Sequence, residues 1–153
     1  MNNRKLPGCV SWDGTEQTEA VPNEWGQAAF VSALIEGLAG VVDKDILFRK
    51  VEISPRWYFA GINETTVNVD YGNDGNQVNY TYSYHPSTQR MEITTDGSFE
   101  EFTVRVPFPE KARKVSATLN GRSTEVTTDQ VNQSKYAMIQ GKGNHNKIVY
   151  NFK

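Results

Sequence analysis

The chain has 153 residues, enough for one domain with a real core and too few for two ordinary ones. Its net charge of −2, with basic residues scattered rather than striped, argues against nucleic acid or an anionic membrane as a partner. A lone Cys9 excludes a disulfide framework and a thiolate metal cluster, and no apolar run approaches the ~20 residues of a bilayer span.

Residues 1–21 show neither helical nor strand period, and the opening MNNRKLPG lacks the apolar core of a signal peptide. They read as loop. A helix is expected over 22–41, opened by Val21-Pro22-Asn23-Glu24, where Pro22 fixes φ and Glu24 complements the dipole. From Trp25 to Leu38 its apolar residues, Phe30, Val31, Leu34 and Ile35 among them, run almost all the way round. Such a helix is normally buried on several sides. Gly37 and Gly40 bracket its end, and Gly40 suits the left-handed cap. Asp43-Lys44-Asp45 then turns the chain.

The rest, a domain over 46–153, obeys period two. Phe48, Val51 and Ile53 make a first strand that Pro55 ends, and Val67, Val69 and Tyr71 a second. After a turn at Gly72 to Gly75 come Val78, Tyr80, Tyr82 and Tyr84. Met91 and Ile93 lead into Asp96-Gly97, a two-residue hairpin signal, and then Phe102, Val104, Val106 and Phe108. Val115, Ala117 and Leu119 run into a second such signal, Asn120-Gly121. Tyr136 and Met138, a glycine turn at Gly141 to Gly143, and Ile148, Tyr150 and Phe152 complete the set. About eight short strands at regular spacing make the chain mainly β, an antiparallel two-sheet β-sandwich preceded by one apolar N-terminal α-helix.

The junction itself carries a resemblance. AAFVSALIEGLAGV, followed by the phrase F-x-x-V-x-I-S-P-R-W from Phe48 to Trp57, resembles the C-terminal end of six-hairpin, (α/α)6-barrel glycoside hydrolases. The later VSATLNGRSTEV, residues 115–126, is similar to the strand, Asn-Gly turn and strand of the sandwich appended to such barrels. The resemblance implies that 1–21 is a remnant of a barrel active-site loop, 22–41 the last barrel helix, and 46–153 the C-terminal sandwich. It further implies a sandwich that packs on a catalytic barrel, a helix that is covered or else drives self-association, and a periplasmic or secreted parent. No cofactor is implied. Catalysis in such barrels uses paired carboxylates, and only the loop entering the last helix is present, so a complete site is not expected on this chain.

Two groups invite a functional reading. The acidic loop before the helix is flanked by Trp12 and Trp25, whose rings suit stacking on sugar, and Glu16, Glu19 or Glu24 could serve acid/base work in the parent enzyme. Equally, it reads as a solvated loop with Trp25 packed in the core. The row Tyr80, Tyr82, Tyr84 shares one strand face, as a carbohydrate platform if exposed or as core if buried, and Val78 in register favours core. His85 and His145 have no partner at metal-ligand spacing, and no metal site is expected. Besides the enzyme-support reading, a stand-alone carbohydrate-binding module and a non-catalytic structural or interaction domain remain open. An oligo- or polysaccharide is the ligand expected of the parent.

Overall fold

The computed structural model describes residues 24–70 and 75–153, with side chains from residue 28. The helix α1 spans Glu24–Ser32 and continues without a break as a π-helical segment, Ala33–Ala39. Gly40 ends it in the left-handed region (φ 71°), its N–H donating back to the Ile35 carbonyl. Glycine is required twice over here. The positive φ disfavours any Cβ, and a Cβ at this point would overlap the Ser54 carbonyl.

Eleven strands follow among the described residues. Five form one sheet: β1 (Val41–Asp43), β2 (Lys50–Ile53), β6 (Glu101–Pro107), β10 (Ser134–Lys142) and β9 (Thr127–Val131), in the order β1-β2-β6-β10-β9. The other six are β3 (Glu64–Asp70), β4 (Gln77–His85), β5 (Arg90–Gly97), β11 (Asn146–Phe152), β7 (Val115–Leu119) and β8 (Arg122–Thr124), ordered β3-β4-β5-β11-β7-β8. All pairings are antiparallel except β2 with β6.

Period two explains the layers. Val51, Ile53, Phe102, Val104, Val106, Ala137 and Ile139 from one sheet meet Val78, Tyr80, Tyr82, Met91, Ile93, Ile148 and Tyr150 from the other, all buried. The Tyr150 hydroxyl donates to the Val104 carbonyl (2.8 Å), a buried tie between the sheets. The outer face of the six-stranded sheet is polar. Cross-strand rows such as Thr66, Thr81, Thr94, Lys147 and Asn68, Asn79, Asp96 fill it.

Three expectations are corrected. Asp96-Gly97 is not a hairpin, because β5 and β6 lie in different sheets. A Cβ on Gly97 would overlap the Gln77 carbonyl, so close backbone approach is what demands glycine there, and buried Phe99 carries the chain across the core. Phe48 belongs to a 3-10 turn, Ile46–Phe48, rather than to a strand, although its side chain is buried as period two required. The helix is not buried on several sides. Phe30, Val31 and Leu34 are 53%, 51% and 43% exposed, whereas Ile35 is half-buried against the core. The Asn120-Gly121 hairpin forms as expected, joining β7 to β8 with both residues at positive φ.

Candidate functional site

The best-defined site is the seam where helix meets sandwich. A helix end leaves carbonyls without intrahelical partners, and these need other donors. Here the sandwich supplies them. The Arg56 N–H donates to the Leu38 carbonyl (3.0 Å) and the Ser54 N–H to the Gly40 carbonyl (2.8 Å). Ala39, whose residue is buried, is served by a side chain: the Tyr80 hydroxyl donates to its carbonyl at 2.6 Å and accepts from Trp57 Nε1 at 2.9 Å. Burial pushes the Tyr80 hydroxyl upward, so it remains a neutral donor.

Every named position of the Phe48-to-Trp57 phrase thus has a task. Phe48, Val51 and Ile53 fill the core, Pro55 is buried beside them, and Ser54, Arg56 and Trp57 hold the helix end directly or through Tyr80. With β1 leaving Gly40 directly and pairing Val41 to Ile53, the helix direction is set against the sheet with no linker between.

Of the expected site residues, Trp12, Glu16 and Glu19 lie outside the described residues. Glu24 and Trp25 open α1, and their side chains fall outside the described set. Tyr80 and Tyr82 are buried at 1% exposure each and Tyr84 is half-buried, so the tyrosine row is core and not a platform. The Tyr82 hydroxyl is buried with no hydrogen-bond partner among the described residues. His85 lies 3.8 Å from Glu92, and the exposed His145 lies 3.1 Å from Asp96. No group of three or more potential metal ligands occurs among the described residues. No helix among them is long and apolar enough to cross a membrane.

Three carboxylates, Glu92, Glu101 and Asp45, are poorly suited to proton donation. A general acid needs its pKa raised toward the working pH. Instead, a hydrogen bond from Lys147 holds Glu92 below its ordinary range, and one from Lys50 does the same for Glu101. Arg49 lowers Asp45 in the same way. Glu101 lines a cleft of ≈ 460 Å³ between β2, β6 and β10, where its Lys50 partner sits at 3.1 Å and Lys142 at 3.9 Å. Lys44 lines the same cleft and pairs with Glu52 at 3.0 Å, so Glu101 is the one carboxylate among the lining residues and is already shared by two lysines.

No protein-family model matches the chain, and no curated protein matches it. Solved structures do. An α-L-rhamnosidase from Dictyoglomus thermophilum aligns with TM-score 0.56 and 13% identity over 82% of this chain and 14% of that one. A GH127 β-L-arabinofuranosidase from Geobacillus stearothermophilus T6 aligns with TM-score 0.50 and 15% identity over 83% and 18%. This chain therefore spans less than a fifth of either neighbour. At these identities the likeness is one of fold, and it falls on glycosidases, the class that the junction sequence resembles.

Proposed function

We propose that this chain is the C-terminal β-sandwich portion of a carbohydrate-active enzyme, with α1 as the last helix of a catalytic (α/α)6 barrel and the sandwich packed on that barrel as its support. One observation carries the reading. Phe30, Val31 and Leu34 of an apolar helix stand exposed beside a closed sandwich, yet the helix's last turn is held by Ser54, Arg56 and Tyr80. Contiguous exposed apolar surface on a soluble domain marks a place that another surface covers. The fold likeness to two much longer glycosidases supports the same reading.

In this reading the catalytic carboxylates belong mainly to the barrel. Glu16, Glu19 or Glu24 would contribute from the loop entering α1, and Trp12 and Trp25 would stack on the sugar. The chain alone is then a non-catalytic piece whose helix seeks a partner. Two measurements on the purified chain test this. Assayed against a panel of aryl glycosides, it should show no turnover above buffer; hydrolysis at enzymatic rates would sink the reading. Sedimentation at tens of micromolar should show self-association that Phe30→Glu with Leu34→Lys abolishes, whereas a wild-type monomer that binds no apolar dye would contradict an unpartnered helix.

A further inference from the structure

Two cations 22 positions apart in the sequence, Arg113 and Lys135, line one cleft at a corner of the sandwich, and Lys111 and Lys114 flank Arg113 along the chain. Lys111, Arg113 and Lys114 lie on the β6–β7 connection, and Lys135 stands near the start of β10. Backbone hydrogen bonds knit the corner: the Phe108 N–H donates to the Lys135 carbonyl (2.9 Å), and the Arg113 and Lys114 N–H groups donate to the Lys153 carbonyl (2.6 and 2.9 Å). All four side chains are exposed. Among the described residues none of them forms an ion pair, whereas Lys44, Lys50, Arg90, Arg105 and Lys147 each have a carboxylate partner. This local surplus stands on a chain of net charge −2.

A cleft of ≈ 320 Å³ opens at the same corner, lined by Phe59, Glu110, Arg113, Gln133 and Lys135 among others. That volume lies at the lower end of the range for small-ligand sites. Phe59 is 56% exposed. Its ring meets Tyr58 edge to face (5.6 Å, 66°), and the Tyr58 hydroxyl accepts the Glu110 N–H (3.2 Å), so the aromatic wall is fixed to the basic rim.

We propose that this corner is a subsite for a carboxylate-bearing oligosaccharide. A guanidinium offers paired donors that match a carboxylate, lysine adds a second positive charge, and an exposed ring face suits the apolar side of a sugar. Gln133 and Glu110 supply the amide and carboxylate that hydroxyl groups bind. Nucleic acid fits less well. Its recognition draws on basic surface that follows a run of phosphates, and here the charge is one compact corner on a net-acidic chain. The choice of a glycan rests on the carbohydrate-enzyme reading.

Affinity electrophoresis of the whole chain through gels carrying covalently immobilised oligogalacturonate, with immobilised neutral galactan fragments and immobilised duplex DNA as comparisons, tests the proposal. Oligogalacturonate should retard the chain, less so as salt rises, while galactan should not. Replacing Arg113 and Lys135 by Gln should weaken retention about tenfold or more, the scale of two charge-assisted hydrogen bonds. Phe59→Ala, at an exposed position that leaves the fold intact, should weaken it about three- to tenfold. Absence of wild-type retention would overturn the subsite. So would equal retention by DNA that Phe59→Ala does not change, which would mark a general polyanion patch. The helix variants Phe30→Glu and Leu34→Lys should leave retention unchanged, so this proposal and the barrel-support reading fail separately.

Discussion

Tyr80 and Tyr82 stand two residues apart on one strand, both 1% exposed, and removal of their hydroxyls should act in opposite directions. Tyr80→Phe keeps the buried ring and removes the two seam hydrogen bonds that its hydroxyl makes. The Ala39 carbonyl then lies buried without its donor, at about 1–3 kcal/mol, while the half-buried Trp57 N–H recovers part of its loss from water. A total near 2–3 kcal/mol follows. With a urea m-value of about 2 kcal/mol/M, the midpoint should fall by about 1–1.5 M at constant slope. Tyr82→Phe removes a buried hydroxyl that has no partner among the described residues, so it should be neutral or stabilising by up to about 1 kcal/mol. Urea titrations followed by far-UV circular dichroism compare the two. Hydrogen exchange adds a local readout, since only Tyr80→Phe should loosen residues 24–39 ahead of the sheets. A Tyr80→Phe variant within 0.5 kcal/mol of wild type, or a Tyr82→Phe variant equally destabilised, would refute the role assigned to the seam.

Other consequences are simpler to read. Gly40→Ala combines a left-handed backbone with overlap on the Ser54 carbonyl, and should lower stability by about 2–4 kcal/mol in the same titration. By contrast Leu34→Lys, on the exposed helix face, should leave the urea midpoint within about 0.5 kcal/mol while reducing self-association. Glu92 has a folded pKa below its ordinary value, chiefly through Lys147. Its stabilisation is therefore present above the ordinary glutamate range and is lost as pH falls through the lowered folded value. Glu92→Gln should accordingly destabilise by about 0.5–1 kcal/mol at pH 7 and approach wild type in acid, and a gap that widens in acid would reverse the sign of the argument.

Much of this fold is legible in the sequence because an antiparallel sandwich buries every second residue. Val78 in register with Tyr80 and Tyr82 marked that face as core, and Gly40 declared the helix end. The polar edge strands were not legible. All five residues of Thr127–Val131 are exposed, so β9 carries no apolar alternation to read. Asp96-Gly97 misled because turn chemistry describes local backbone and not which sheet the next strand joins. Among site residues, the helix-capping work of Ser54, Arg56 and Trp57 follows from long-range hydrogen bonds that periodicity does not encode. The basic corner escaped for a similar reason. Lys135 reaches the 111–114 run through the pairing of Phe108 with its backbone, and the only sequence sign was the short KARK run itself.

The reading frame immediately upstream of residue 1, sequenced in its genomic setting, tests the central claim most directly. If the sandwich supports a barrel, that frame should continue for several hundred residues of amphipathic helical hairpins with period 3.6. An in-frame stop directly before residue 1, with no helical-hairpin frame beside it, would contradict the claim.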